Sequence, residues 1–398
     1  MNATATGSPG ESWLGRWLGL IRFSHTIFAL PFAVLAAFLA WSTPLPLDPS
    51  SSPSPMSKTE PTALAAGNTP PATDKTAKPT ALAAGNTPPA TDNTAEPTAL
   101  AAGDTPKTNK QATPGAIAFR SEDIATSPAI STTPVYPIVR LRDIVGVLLC
   151  MVLARSAAMA FNRWIDHRID AANPRTASRH IPAGLLSRRS VLAFTVMCCL
   201  GFVGCTLLFL PNRIPLLAAG PVLFWLLAYS LAKRFTAAAH LWLGIALALS
   251  PVCVWVAIRG EGILNSASDF WLPGWLAATV ALWVAGFDII YACQDADFDK
   301  SSGLRSIPAW LGVPGALRLA AGLHVVMLAC LVTLALTGDP AGLSWIFAIS
   351  VAATACLVIS QHRLVRPDDL TRVNQAFFHA NALISVILLV GGVIDCYF

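Results

Sequence analysis

Two groups of side chains carry oxygen ligands at helical spacing. The first is Asn162, Asp166 and Asp170, in the stretch Asn162-Arg163-Trp164-Ile165-Asp166-His167-Arg168-Ile169-Asp170. On a continuous helix each step of four residues drifts only about 40° and climbs about 6 Å, so the three share one face. An amide oxygen and two carboxylates suit a hard cation such as Mg²⁺, above all when substrate phosphates complete its shell. Two acids among arginines also fit a plain solvated helix end, and the second group decides against that. It is Asp288, Tyr291, Asp295, Asp297 and Asp299. Here 288, 295 and 299 fall within about 40° of one another, and Asp297 points the opposite way.

These groups lie at the ends of long apolar runs. Of the 398 residues, 54% are hydrophobic and 12% charged. That charge content is about half that of a soluble domain. The runs are roughly 18 to 24 residues long, enough to cross a bilayer as helices. They predict a polytopic, all-α membrane bundle of nine transmembrane helices around a central cavity. The spans fall at about 21–41, 143–162, 189–210, 214–232, 239–258, 272–292, 314–337, 342–360 and 377–396. The net charge of +5 reflects basic residues collected in short loops and points to no nucleic-acid partner. The nine cysteines lie in or beside the apolar runs without metal-ligand spacing, and read as small packing residues.

Residues 43–137 differ in kind. They hold 17 of the 30 prolines, and Pro-Thr-Ala-Leu-Ala-Ala-Gly recurs at 61–67, 79–85 and 97–103. Such a segment has too little apolar surface to offset its ordering entropy. It is expected to be a disordered extramembrane insertion with no catalytic role. It separates an N-terminal part (1–42, a loose polar tail of residues 1–12 and then the first span) from the rest of the same domain (138–398).

Arginines and lysines set the orientation. Arg163, Arg168, Arg175, Arg179, Arg188 and Arg189 follow the second span, Lys233 and Arg234 the fourth, and Lys300 and Arg305 the sixth. Arg363, Arg366 and Arg372 follow the eighth, while the alternate short loops hold only Arg213 and Arg259. The positive-inside rule then places the N-terminus and both acid groups on the cytoplasmic side. Acids at the hydrocarbon edge are costly and mark a functional site. Two facing sets of carboxylates repel unless cations sit between them. A diphosphate with Mg²⁺ meets both needs, with Lys233, Arg234, Arg175, Arg179 and Arg305 as a clamp.

The sequence resembles the UbiA-type membrane prenyltransferases. Asn-xxx-Asp-xxx-Asp at 162–170 looks like the family's first signature. Asp288-xx-Tyr291-xxx-Asp295-xxx-Asp299, followed by Gly303, Arg305 and Ser306, looks like the second. Arg175-Thr176 with Arg179 and Pro182-xx-Gly184, Tyr229-xxx-Lys233-Arg234, and Ile21 to Pro31 match as well. The nearest likeness is to 4-hydroxybenzoate polyprenyltransferases. The stretch 288–308 also resembles enzymes proposed for the futalosine route to menaquinone, and His180 departs from the common pattern. The resemblance implies Mg²⁺-dependent transfer of a polyprenyl chain from its diphosphate to an aromatic acid, at a cavity open to the lipid bilayer. Asn162, Asp166, Asp170, Asp295 and Asp299 would hold the metal, and Lys233 with the arginines the diphosphate. Asp288 would bind substrate. Tyr291 would shield an allylic cation, and Arg22 or His25 would orient the acceptor's carboxylate. A naphthoate, a porphyrin side chain or a lipid glycerol as acceptor stays open, as does a transporter of an anionic substrate.

Overall fold

The computed structural model describes residues 13–21, 30–45, 136–260, 263 and 266–397. Most of the 43–137 segment, and Arg22 and His25, lie outside them. Most of the described residues are helical, and among them there is one isolated β-bridge, Arg366 to Asp369, and no strand. In chain order the helices are α1 (Trp13–Ile21), α2 (Leu30–Ser42), α3 (Leu141–Ile165), α4 (His167–Ala172), α5 (Arg188–Thr206), α6 (Ile214–Ala232) and α7 (Ala239–Arg259). There follow α8 (Trp271–Ala292), α9 (Ala296–Ser301), α10 (Ile307–Thr337), α11 (Trp345–Leu364), α12 (Val373–Gln375) and α13 (Asn381–Tyr397).

Among the described residues, eight helical segments are long and apolar enough to cross a membrane, which makes this an integral multi-pass membrane protein. They begin or end within a few residues of the expected spans, with one exception. The run expected at 314 starts at Ile307, because Ser306 caps it through Ala309 N (3.3 Å) and Pro308 fits the first turn. Gly312, at φ 69°, then kinks it. The first run is represented by α2, thirteen residues that are too short to span alone.

Helix α8 is the centre of the bundle. The segment around it is 67% buried, against at most 33% for the others. It packs against α7, α10 and α2, and its Trp283, Val284 and Phe287 join Phe32, Leu35 and Phe347 in the main core. Large apolar side chains such as Leu200, Leu217 and Leu336 face outward, which hydrocarbon solvent permits. Helices in lipid gain little from apolar burial, so close approach at small residues matters more. At Gly244 of α7 an added Cβ would lie 2.2 Å from the Ala281 carbonyl oxygen of α8. Gly244→Val should force the two helices apart and cost about 1–3 kcal/mol. A lowered Tm in detergent checks this, and an unchanged Tm would refute the close α7–α8 contact.

The two ends of α7 do different things. At its last turn, buried Arg259 pairs with Asp269 and donates to the carbonyls of Ala40 (3.2 Å), Thr43 (2.8 Å) and Pro44 (2.8 Å), closing the end of α2. At its first turn stands His240, beside Asp288. With 1.5 Å of rise per residue these ends lie about 28 Å apart, close to the thickness of the hydrocarbon core.

Candidate active site

Both acid groups lie across helix breaks. α3 stops at Ile165, Asp166 leaves helical geometry (φ −95°, ψ 8°), and α4 resumes at His167. The four-residue ladder survives the break, since Asp166 N bonds Asn162 O (3.1 Å) and Asp170 N bonds Asp166 O (2.8 Å). α8 tightens into a 3-10 turn at Cys293–Asp295 before α9. Asp295 and Asp299 are buried and Asp297 is exposed, as the helical spacing predicts.

Apart from Asp297, the two groups line one chamber of about 290 Å³ together with Arg175, Arg179, Lys233 and Arg234. Four of the carboxylates are each paired with a cation of their own. Arg234 Nη2 meets Asp166 Oδ1 at 2.8 Å, while Asn162 Nδ2 donates to Asp166 Oδ2 at 3.1 Å. Arg179 Nη1 meets Asp170 Oδ1 at 2.5 Å. Arg175 grips Asp295 with Nη2 and with Nε (2.7 Å), and Asn173 Nδ2 adds a third bond to Asp295 (3.0 Å). Lys233 Nζ lies 3.8 Å from Asp299 Oδ2. The loop after the first group thus reaches across to the second. Burial pushes the Asp166 carboxyl up, against the pull of Arg234. Burial works against the charge on Arg175, but its bonds to Asp295 and Tyr291 outweigh that and raise its affinity for its proton.

The residues fit a divalent cation. The Oδ2 atoms of Asp170 and Asp299 are buried and accept no hydrogen bond. Asp170 Oδ2 faces Arg163 Nη1 only at 3.8 Å. The donors are oxygens, the set that Mg²⁺ takes. Among the described residues no three His, Cys, Asp or Glu side chains form a ready metal cage. Phosphate oxygens would therefore have to complete the shell.

A second, apolar chamber of about 340 Å³ adjoins the first. Arg155, Met159, Tyr229, Leu243 and Leu247 line both. Arg155, two helical turns before Asn162, has a buried Nε with no hydrogen-bond partner. Tyr291 lines the polar chamber, where its hydroxyl accepts from Arg175 Nη1 (3.1 Å) and its ring lies 5.3 Å from the same guanidinium. Asp288 lines it too, and its partner is the Nδ1 of His240, at 2.7 Å.

Arg305 is a correction. It is exposed, does not line the chamber, and donates from Nη1 to Phe235 O (2.8 Å) while its N bonds Lys233 O (2.7 Å). The chain has already turned at Gly303 (φ 68°), so Arg305 braces the Lys233 loop from outside. His180 is buried behind the site against Gly19. The spacing argument passed over Arg155, Asn173 and His240. A charged residue mid-span is costly, which was a usable signal for Arg155. Asn173 and His240 carry no such mark.

Together these features define a helical membrane protein with a chamber lined by carboxylates, arginines and a lysine that adjoins an apolar one. The chain belongs to the UbiA prenyltransferase family, whose model matches residues 129–382, and it is therefore a membrane prenyltransferase. It is 31% identical over 259 residues to a 4-hydroxybenzoate octaprenyltransferase of Nitrosomonas europaea, covering 63% of this chain and 81% of that one. The enzyme of the same name from Saccharophagus degradans is 28% identical over 249 residues, covering 62% and 78%. Among solved structures, the apo UbiA homolog from Aeropyrum pernix K1 is 33% identical, with TM-score 0.58 over 65% of this chain and 91% of that one. A UbiA homolog from Archaeoglobus fulgidus bound to GPP and Mg²⁺ shares the fold at 16% identity, with TM-score 0.52 over 66% and 90%.

Proposed function

We propose that the protein transfers a polyprenyl chain from its diphosphate to an aromatic acid, with 4-hydroxybenzoate as the acceptor, in quinone biosynthesis. The observation that carries this is the pair of facing carboxylate groups, each matched to cations, at the mouth of an apolar chamber. The names of the similar enzymes point to the same acceptor.

Asn162, Asp166, Asp170, Asp295 and Asp299 would hold Mg²⁺. The metal would supply positive charge against the departing diphosphate. Lys233, Arg175, Arg179 and Arg234 would take its oxygens, releasing the carboxylates they now engage. The C–O bond to diphosphate breaks with its electron pair leaving on oxygen. An electron-rich ring carbon then forms the new C–C bond and loses its proton. The Tyr291 ring already lies against a guanidinium, which supports a role in shielding the allylic cation.

The apolar chamber suits an isoprenoid tail. Arg155, charged and without an Nε partner at the junction of the two chambers, suits the acceptor's carboxylate, the role the resemblance gives to Arg22 or His25, which lie outside the described residues. Asp288 suits its hydroxyl, because among the described residues it is the one chamber carboxylate that faces no Lys or Arg. The basic loops beside the chamber support a cytoplasmic-facing site in the cell membrane. Residues 43–137 would take no part.

The test is an acceptor panel. Membranes bearing the protein, given labelled prenyl diphosphate, should prenylate 4-hydroxybenzoate. Product from a naphthoate or a porphyrin alone would overturn the acceptor and keep the reaction class.

A further inference from the structure

His240 sits behind the chamber wall. It is 1% exposed and does not line the cavity, whereas the Asp288 it bonds does. It joins three elements: its own α7, Asp288 of α8, and the start of α10, where Ile307 N donates to His240 Nε2 at 3.4 Å. A backbone N–H can only donate, so Nε2 accepts. The ring proton therefore sits on Nδ1 and is donated to Asp288 Oδ2. The bond fixes one carboxylate oxygen, and no other hydrogen bond to Asp288 forms among the described residues. The four other chamber carboxylates are charge-matched to Lys or Arg. Asp288 therefore faces no Lys or Arg, and its other oxygen takes no hydrogen bond among the described residues.

We propose that His240 is a positioning residue that orients Asp288 to accept a hydrogen bond from the acceptor's phenolic hydroxyl. This rests on the acceptor reading above. Arg155 and Asp288 line the same chamber. An aromatic hydroxy acid is thus held at two poles, its carboxylate by Arg155 and its hydroxyl by Asp288. A hydrogen bond from the hydroxyl to a carboxylate also feeds electron density into the ring that attacks.

The experiment compares 4-hydroxybenzoate with benzoate, which lacks the hydroxyl, as competitors for the acceptor site. It uses the full-length wild type, His240→Ala, His240→Asn and Asp288→Asn. In the wild type the hydroxyl should strengthen binding about tenfold or more, the scale of a hydrogen bond to a charged group. In His240→Ala the preference should fall to within about twofold, with the prenyl diphosphate KM also within about twofold of wild type. Asparagine can donate from Nδ2 near the place of Nδ1. His240→Asn should therefore restore most of the preference, which a merely structural role would not require. Wild-type preference retained in His240→Ala would overturn the role of His240 and leave the acceptor reading standing. Diphosphate and acceptor KM rising together in His240→Ala and His240→Asn alike would also overturn it, as would failure of Asp288→Asn to lose the preference. A wild type that breaks down prenyl diphosphate but transfers to no aromatic acid would overturn the acceptor reading and the role of His240 with it.

Discussion

Asp166→Asn and Asp295→Asn should each lower kcat by about a thousandfold or more. Each change keeps the size of the side chain and removes a full negative charge from one of two facing groups. Charge stabilisation of a leaving group by a bound metal is worth several kcal/mol, and each 1.4 kcal/mol is a factor of ten. The two positions have different partners: Asp166 faces Arg234 and Asn162, while Asp295 faces Arg175 and Asn173. A shared loss would therefore reflect the metal rather than one local bond. Matched membrane levels and Tm values would show that folding is intact. Near-normal turnover in either purified variant would remove that residue from the metal site.

Arg175→Gln should act in two directions. Arg175 holds Asp295 through Nε and Nη2, so one guanidinium covers a proposed metal ligand until substrate arrives. With diphosphate and Mg²⁺ bound, the carboxylate would turn to the metal and the guanidinium to phosphate. Loss of a hydrogen bond between charged groups costs about 1.5–3 kcal/mol. kcat/KM for prenyl diphosphate should therefore fall by about 10- to 100-fold. Mg²⁺ alone should bind the variant several-fold more tightly than the wild type, because its ligand is no longer engaged. Calorimetric titration with Mg²⁺ in the absence of diphosphate reads this directly. Weaker Mg²⁺ binding in Arg175→Gln would show that the arginine supports the cation site instead of competing for it.

The membrane bundle was legible in the sequence because apolar runs of span length have few other uses in a chain so poor in charge. The acid groups were legible because helical spacing survives short breaks. Asp297 points away and Asp295 and Asp299 inward even though a 3-10 turn intervenes. The matching of each carboxylate to its own cation was not legible. Apart from Arg179, nine residues from Asp170, it depends on Asn173 and Arg175 reaching Asp295, 122 and 120 residues away, and on Lys233 and Arg234 reaching Asp299 and Asp166, 66 and 68 residues away. Arg305 misled for the same reason. Its spacing from Asp299 is right, but the turn at Gly303 carries it out of the chamber. His240 reads in sequence as one polar residue at the head of an apolar run. Only the packing of α7 against α8 gives it a carboxylate partner.

The most direct test of the two-cluster chamber is the dependence of prenyl transfer on a divalent cation. Purified protein in lipid, stripped with EDTA and given labelled prenyl diphosphate and 4-hydroxybenzoate, should form no product until Mg²⁺ is added. Turnover should then rise with Mg²⁺ to a plateau. Undiminished product in EDTA would contradict the assignment of Asn162, Asp166, Asp170, Asp295 and Asp299 to a metal.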